Sequence, residues 1–259
     1  MNRKLNLSLL NLQKVTLNMP RFTLAWLAFM VAMPIVDWAT QGQIYPQLAT
    51  VGVLLQMLAS LAALRWAWPW PRITFTLLVV TALTWFAEWV GSATGWPFGK
   101  YSYTALLQPQ LAGVPLLIPL AWLMMLPPTW AVVSALVAPE KRVAFAALTG
   151  VAFTAWDLYL DPQMVARGLW VWAEPSGYFG IPWINFFGWW LTSSLVTFVV
   201  APKDFEAAQK PLAAIYALTW ILQAIGLGLF WGQPGPALVG FVAMGAFVVG
   251  FGRGDSYPS

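Results

Sequence analysis

The chain has 259 residues, of which 60% are hydrophobic and 8% are charged, and its mean hydropathy is +0.69. These values lie outside the range of soluble globular domains and, with a formal net charge of only +4, predict a membrane protein. Because the sequence contains no Cys and no His, disulfides, thiolate or imidazole catalysis, and haem, iron or zinc sites built on those residues are excluded.

Apolar segments long enough to cross about 30 Å of hydrocarbon, at roughly 20 residues each, recur along the chain. They predict an all-α polytopic transmembrane helix bundle with eight spans, near residues 22–41, 47–66, 73–91, 114–137, 143–161, 183–201, 212–231 and 236–252. Seven spans stay open, because Pro127-Pro128 interrupts the fourth and the last is short and Gly-rich. The predicted organisation is a basic cytoplasmic segment (1–21), a single transmembrane domain (22–252) and a short tail (253–259).

The basic residues predict the orientation of the bundle. With the N-terminus in the cytoplasm, eleven Lys and Arg residues fall on the inside and only Lys100 and Arg167 fall outside. The polar start is not typical of a cleaved signal peptide, so the first span is expected to remain. We therefore expect a multi-pass protein of the plasma membrane, with the lipid bilayer as its surroundings. The inside bias also accounts for the net charge, so no nucleic-acid partner is expected.

Acidic residues are concentrated toward the predicted outer side. Five of the nine fall near outer span ends or in outer loops: Asp37, Glu88, Asp157, Asp161 and Glu174. An ionisable residue within a span costs about 2.5–3.5 kcal/mol on insertion scales, so it usually faces the bundle interior and serves a function. The polar chemistry of this protein is therefore predicted to lie on one side of the membrane.

The first acidic segment, AEWVGSATGWPFGKYSYT, covers residues 87–104. Glu88 lies in the last predicted turn of the third span, with Trp85 and Trp89 beside it. The Gly and Pro residues that follow are typical of a turn. Two interpretations stay open for this segment: a functional carboxyl with aromatic neighbours, or a structural, hydrogen-bonded carboxyl among the Trp residues that commonly line membrane interfaces.

The second acidic segment covers residues 156–190 and begins WDLYLDPQMV. Asp157 and Asp161 are one helical turn apart and share a face. Because Pro disfavours helix at the residue before it, Pro162 predicts that the fifth span ends at Asp161. After the loop, Asn185 re-enters the membrane on the sixth span.

The ordered motifs of these segments resemble a known family. The motifs are Glu88-Trp89 through TGWPFGKYSYT, then GVPLLIPLAWLMM, DPQMV and GYFGIPWINFFGWWLTS. Over roughly residues 80–200 they resemble the integral-membrane carotenoid biosynthesis proteins, which include carotenoid 1',2'-hydratases of bacteria and bisanhydrobacterioruberin hydratases of haloarchaea. The resemblance implies addition of water to the terminal double bond of an acyclic carotenoid end group, giving a tertiary alcohol. The implied partners are the carotenoid and water, and association with other carotenoid enzymes stays open.

Acid catalysis fits this reaction, because hydration of an alkene requires a proton, a stabilised cation and a water. A carboxyl in apolar surroundings can keep its proton near neutral pH. We therefore assign Asp157 as the general acid and Asp161 or Glu88 as the acceptor of the water proton. The predicted substrate-binding residues are Trp85, Trp89, Tyr101, Trp156, Tyr159 and Asn185. No cofactor is expected, although a divalent ion held by carboxylates alone stays open.

Two other functions remain as alternatives. Intramembrane acids also mark the ion paths of transporters and channels. Against that reading, the acids lie toward one side, and no matched pair of broken helices appears in two repeated halves of the sequence. A non-catalytic carotenoid-binding protein is the other alternative, and it would release its pigment chemically unchanged.

Overall fold

The structure, a computed structural model, describes residues 21–254. The helices are α1 (Arg21–Ala39), α2 (Tyr45–Leu64), α3 (Trp70–Thr94), α4 (Leu117–Ser134), α5 (Arg142–Ala166), α6 (Trp183–Val200), α7 (Glu206–Ile225) and α8 (Pro234–Gly254), with a π-helical turn over Gly226–Phe230 after α7. Within the described residues, eight helices are long and apolar enough to cross a membrane, which confirms the predicted eight-span bundle. The segment predicted at 1–21, apart from Arg21, and most of the tail predicted at 253–259 lie outside the described residues. The cytoplasmic N-terminus stays a prediction.

Helix α4 is the centre of the bundle. It is the most deeply buried of the eight and packs against α2, α3, α5, α7 and α8. It continues through Pro127-Pro128, so the fourth span is not interrupted. Pro128 has no N–H to donate to the carbonyl of Met124, and the hydroxyl of Ser60 donates to that oxygen instead, at 2.7 Å. A neighbouring helix thus replaces the hydrogen bond that the proline removes.

Helix α5 also continues through a proline, and here the sequence prediction was wrong. The helix was predicted to end at Asp161, but it continues through Pro162 and ends at Ala166. Pro162 leaves the carbonyl of Leu158 without its helical partner, and the hydroxyl of Tyr178 donates to that oxygen at 3.0 Å. Because the helix stays regular, Asp157 and Asp161 both lie well inside it and point to the same side.

Four short strands occupy the connections on the predicted outer side: β1 (Tyr101–Tyr103), β2 (Gln110–Leu111), β3 (Val114–Pro115) and β4 (Trp170–Trp172). Strands β2 and β3 pair with each other just before α4. Strand β1 pairs antiparallel with β4, so the connection after α3 is joined to the connection after α5. The two acidic segments of the sequence therefore meet in one two-stranded ribbon.

Two glycines let the β1 connection fold back onto the bundle. The ring of Phe98, which is 1% exposed, lies between Gly91 of α3 and Gly188 of α6. A Cβ at Gly91 would lie 2.6 Å from this ring, and a Cβ at Gly188 would lie 2.5 Å from it. Only residues without a side chain admit Phe98 here, and its position brings β1 over Glu88.

Candidate active site

Helices α3 and α5 bury three carboxyl groups close to one another. Glu88 is 3% exposed, Asp157 is 0% exposed and Asp161 is 1% exposed. We refer to these three residues as the carboxyl cluster. Carboxyl groups this deeply buried need hydrogen-bond partners, and the identity of those partners determines what chemistry the cluster can perform.

Glu88 accepts three hydrogen bonds from neutral aromatic donors. The hydroxyls of Tyr101 and Tyr103 donate to Oε2 at 2.5 and 2.8 Å, and the indole N–H of Trp122 donates to Oε1 at 3.2 Å. An ionised carboxylate is an acceptor only, so three converging donors suit it well. This environment holds the Glu88 side chain in one position and leaves it ready to accept a proton.

Asp157 and Asp161 are joined by a single amide. Asn185 Nδ2 donates to Asp157 Oδ2 at 2.9 Å and also to Asp161 Oδ2. Asp161 Oδ1 accepts from the indole N–H of Trp170 at 2.6 Å, whereas Asp157 Oδ1 is buried with no hydrogen-bond partner among residues 21–254. The hydrogen-bond donors to this aspartate pair are all neutral groups, as they are for Glu88.

The two-stranded ribbon explains why four of the aromatic side chains converge. Tyr101 pairs with Trp172 and Tyr103 with Trp170. Alternate residues of a strand face the same side, so all four rings point together while Val171 between the tryptophans is exposed. Three of these residues donate to the carboxyl cluster, so the ribbon forms a polar cover over it.

Tyr101 and Tyr103 lie outside the membrane-spanning helices. Burial raises the pKa of Tyr101 well above its ordinary value, and the nearby Glu88 carboxylate raises it further. The pKa of Tyr103 is raised well above its ordinary value for the same two reasons. Both phenols therefore stay protonated, as hydrogen-bond donors, at any physiological pH.

A small cavity of about 30 Å³ lies beneath the ribbon, and we call it the acid cavity. Its polar lining includes Glu88, Asp161 and Asn185, and its aromatic lining includes Trp122, Trp172 and Trp189. The indole N–H of Trp172 is buried and has no hydrogen-bond partner in the described part of the chain. The volume and the polar lining suit about one or two water molecules.

A second, larger cavity adjoins the first. This apolar cavity has a volume of about 90 Å³, lies among α1, α2, α4, α5 and α7, and is lined mainly by Met, Leu and aromatic side chains. Four residues line both cavities: Ile118, Ala121, Leu160 and Trp170. A hydrocarbon chain in the apolar cavity would therefore end beside the carboxyl cluster.

Two of the aromatic residues that line the acid cavity, Trp122 and Trp189, belong to a stack of rings. The ring of Trp122 lies 4.7 Å from that of Trp189 and 4.8 Å from that of Phe153, in stacked geometry. Trp122 therefore stacks on these two rings and also donates a hydrogen bond from its indole N–H to Glu88. Aromatic faces of this kind stabilise positive charge.

The structure separates the predicted substrate-binding residues into three groups. Tyr101 and Asn185 line the acid cavity, and Trp156 lines the apolar cavity. Trp85 and Trp89 stack on each other, with ring centroids 6.2 Å apart, and line neither cavity.

Tyr159 is also absent from both linings. Its hydroxyl donates to the carbonyl of Trp220 in α7 at 3.2 Å, and its ring lies against Gly240 of α8. Although it lies between the two aspartates in sequence, it points to a different face of α5.

Sequence reasoning missed the donors Tyr103, Trp122 and Trp170. The available signals were the alternation of large and small residues in YSY and WVW, which places both outer rings of each strand on one side. Trp122 carries no comparable signal, because it lies in the middle of an apolar run.

The remaining outer acids differ from the cluster. Asp37 is 4% exposed and forms an ion pair with Arg167, whose Nη2 lies 2.6 Å from Oδ2. Glu174 is exposed, as is Lys100. Within residues 21–254, no group of three acidic side chains is arranged to hold a metal ion.

Comparison with known proteins supports the resemblance seen in the sequence. A family model described as carotenoid biosynthesis protein matches residues 47–247, which is more than half of the chain. The chain belongs to this family. Its eight apolar helices make it a multi-pass membrane protein of that family.

One relative has a name that states an activity. The bisanhydrobacterioruberin hydratase of Haloarcula japonica is 32% identical over 127 residues, which are 48% of this chain and 43% of the relative. The matched region therefore covers less than half of either protein. No solved structure matches the chain.

Proposed function

We propose that the protein is a carotenoid hydratase that adds water to the terminal (1',2') double bond of an acyclic carotenoid end group and gives a tertiary alcohol. The proposal rests mainly on the carboxyl cluster, whose members are held by neutral donors. Two of them, Glu88 and Asp161, line a small cavity that adjoins a hydrocarbon-lined one. The name of the Haloarcula japonica relative supports the same reaction class. The protein would act as a cofactor-independent hydro-lyase in the plasma membrane.

We assign the proton to the Asp157–Asp161 pair. Two carboxylates that share one amide in an apolar interior repel each other when both are ionised, and one proton removes that repulsion. Asp161 lines the acid cavity and delivers the proton, whereas Asp157 acts through Asn185 as a positioning residue. The sequence hypothesis gave the delivery step to Asp157, and the cavity favours its neighbour one turn later.

The proton adds to the less substituted carbon of the terminal double bond, and a tertiary carbocation forms at the other carbon. The rings of Trp122, Trp172 and Trp189 line the acid cavity, beside which this charge develops. Each cation–π contact contributes about 0.5–2 kcal/mol when water is excluded. The predicted substrate-binding residues Trp85, Trp89, Trp156 and Tyr159 do not line this cavity.

A water in the acid cavity then captures the cation, and Glu88 accepts the proton that this water loses. Tyr101, Tyr103 and Trp122 hold Glu88 in place for this step. The proton gained by Glu88 returns to Asp161 through water in the cavity that both side chains line, so each turnover consumes one carotenoid double bond and one water. A positioned acid or base typically contributes about 10²- to 10⁴-fold to the rate.

The test is the mass of pigments extracted from cells that make an acyclic carotenoid, with and without this protein, grown in isotope-labelled water. A hydratase adds one water per modified end group, and the added oxygen carries the label of the water. An unchanged mass would contradict the proposal, and pigment that co-purifies unaltered would then favour a carotenoid-binding protein. If the added oxygen came from O₂ instead of water, the reaction would be an oxidation and not a hydration.

A further inference from the structure

The apolar cavity is too small to enclose a whole carotenoid. Its volume is about 90 Å³, whereas sites that enclose a drug-sized ligand measure roughly 300–1,000 Å³. An end group fits inside, and the polyene that follows it must lie outside the cavity. The wall of the cavity therefore needs an opening toward the bilayer, in which such a hydrocarbon is dissolved.

An open groove of about 710 Å³ lies beside this cavity. It is lined by residues of α1 and of the π-helical turn, on the same predicted outer side as the carboxyl cluster. Its rim is apolar and exposed: Ile35 is 60% exposed, Trp38 is 81% exposed and Leu229 is 78% exposed. All three belong to helices that are long and apolar enough to cross a membrane, so their exposed side chains face lipid and the groove is accessible from the bilayer.

Trp231 is the one residue among 21–254 that lines both the groove and the apolar cavity. Its indole N–H donates to Asp37 Oδ2 at 3.0 Å, and its ring meets that of Tyr45 edge-on at 6.1 Å. The π-helical turn ends just before Trp231, whose backbone N–H donates to the carbonyl of Gly226 at 3.0 Å. A Cβ at Gly226 would overlap the Trp231 ring, so the turn and its glycine position this side chain between the two spaces.

We propose that the groove binds the polyene of the carotenoid and that Trp231 is a gate between the groove and the apolar cavity. This inference rests on the proposed function and adds a route to it. The end group enters sideways from the bilayer, passes Trp231 and crosses the apolar cavity to the carboxyl cluster, while the polyene stays in the groove. A neutral hydrocarbon suits the groove better than an anionic lipid headgroup, because Arg167, the cation in its lining, is already paired with Asp37.

The chain contains no Cys, so a cysteine introduced into the groove can be labelled selectively. Leu229→Cys and Ile35→Cys each place a thiol on the rim, where a bulky maleimide fills the groove. We expect the label to lower both the bound fraction of an acyclic carotenoid and kcat/KM for its hydration by about tenfold or more, as steric overlap in a binding site does. Phe187→Cys is the matched control, because Phe187 is an exposed apolar residue near the predicted outer end of α6 and lines neither the groove nor a cavity. Its label should change neither quantity.

Trp231→Phe tests the gate by removing the indole N–H that holds it closed. Per folded protein, kcat/KM should rise by up to about tenfold, because the closed position loses a hydrogen bond to a charged acceptor and the open position becomes more populated. A purely structural role for Trp231 would not raise this value. Trp220→Phe is the control, because it also loses an indole hydrogen bond, to the carbonyl of Phe241, but lies away from the groove and both cavities.

Three results would contradict the proposals. Normal binding and hydration by both labelled groove variants would overturn the polyene site and leave the groove to a membrane lipid. A kcat/KM that is unchanged or lower in Trp231→Phe would overturn the gate. If the unlabelled protein hydrates no carotenoid, the proposed function fails, whereas the bound fraction of pigment with and without the label still tests the groove.

Discussion

The protein contains two kinds of buried acid on the same predicted side of the membrane. At the first, Asp37 of α1 is paired with a cation: Arg167 lies 2.6 Å away, over the ring of Tyr45 at 4.2 Å. At the second, Glu88, Asp157 and Asp161 are held by phenols, indoles and one amide. A carboxylate whose charge is cancelled by a guanidinium holds helices together, whereas carboxyls held by neutral donors can exchange protons with a substrate.

The two regions also differ in their access to a cavity. Asp37 and Arg167 line an open groove on the surface, together with exposed residues such as Trp38. Glu88 and Asp161 line the acid cavity beneath the ribbon of β1 and β4. The comparison therefore predicts that changes at the ion pair affect stability and changes at the carboxyl cluster affect catalysis.

The largest effect is expected for Asp161→Asn. This variant keeps an acceptor for Trp170 but has no proton to deliver, so hydration should fall by about 10²- to 10⁴-fold while the protein still inserts. The rate per folded protein is measured by pigment extraction, and the melting temperature in detergent gives the stability. Asp157→Asn keeps an acceptor for Asn185 and should lose less activity, with a shifted pH profile as the sign of its positioning role. Undiminished hydration by Asp161→Asn would remove this residue from the mechanism.

The reverse pattern is expected for Asp37→Asn. Removal of one partner from a buried ion pair costs about 3 kcal/mol of unfolding free energy, because Arg167 is left without its counter-charge. The amide can still accept from the indole N–H of Trp231, which donates to Asp37 at 3.0 Å, so the rate per folded protein should stay near wild type. Asp37→Asn combined with Arg167→Gln should recover part of the lost stability. A normal melting temperature with lost hydration would invert the comparison and assign the ion pair to catalysis.

A third variant tests whether the rate of hydration depends on the hydrogen bonds to Glu88 or only on the burial of its carboxyl group. Tyr101→Phe removes the closest of the three donors to Glu88, and a hydrogen bond to a charged acceptor contributes about 1.5–3 kcal/mol, so the rate of hydration should fall about tenfold or more. Tyr216→Phe is the matched control, because the hydroxyl of Tyr216 donates to the carbonyl of Ala152 and not to the cluster. If both variants lose activity equally, the phenols act through packing.

The bundle was predictable from sequence because hydropathy is a strong signal over about 20 residues. The eight spans follow from it, although the seventh begins at Glu206 and not near residue 212. The predicted end of the fifth span failed because Tyr178, distant in sequence, replaces the hydrogen bond that Pro162 removes. Local propensity cannot show such a distant partner.

Only the carboxyl and amide side chains of the candidate site could be predicted from the sequence. Glu88, Asp157, Asp161 and Asn185 are conspicuous because polar residues are rare in apolar sequence. Their aromatic partners were not, because 16% of the residues are aromatic and interface tryptophans look the same as site tryptophans. What separates Trp170 from Trp89 is the pairing of β1 with β4, which joins two connections that lie far apart in the sequence.

The smallest expected effect is a change in stability at alkaline pH. It is expected where a phenol holds the carboxyl, as at Glu88, and not where a guanidinium does, as at Asp37. The pKa of Tyr103 is raised in the folded protein by burial and by Glu88, whereas an unfolded tyrosine ionises near pH 10. Its contribution to stability is therefore complete below about pH 10 and is lost as the pH rises above that value. Tyr103→Phe should reduce the fall in unfolding free energy above pH 10 by up to about 1.4 kcal/mol per pH unit, with no change of slope at neutral pH.

Denaturant unfolding in detergent between about pH 8 and 11 measures this slope. Asp37→Asn is the control, because it removes a buried ion pair and leaves every tyrosine in place, so its alkaline slope should match that of the wild type. Tyrosine absorbance gives a second readout, since Tyr103→Phe should remove one phenol that titrates only in the unfolded protein. If wild type and Tyr103→Phe have the same alkaline slope, folding does not raise the pKa of Tyr103, and burial beside Glu88 would then not be what keeps this phenol a donor.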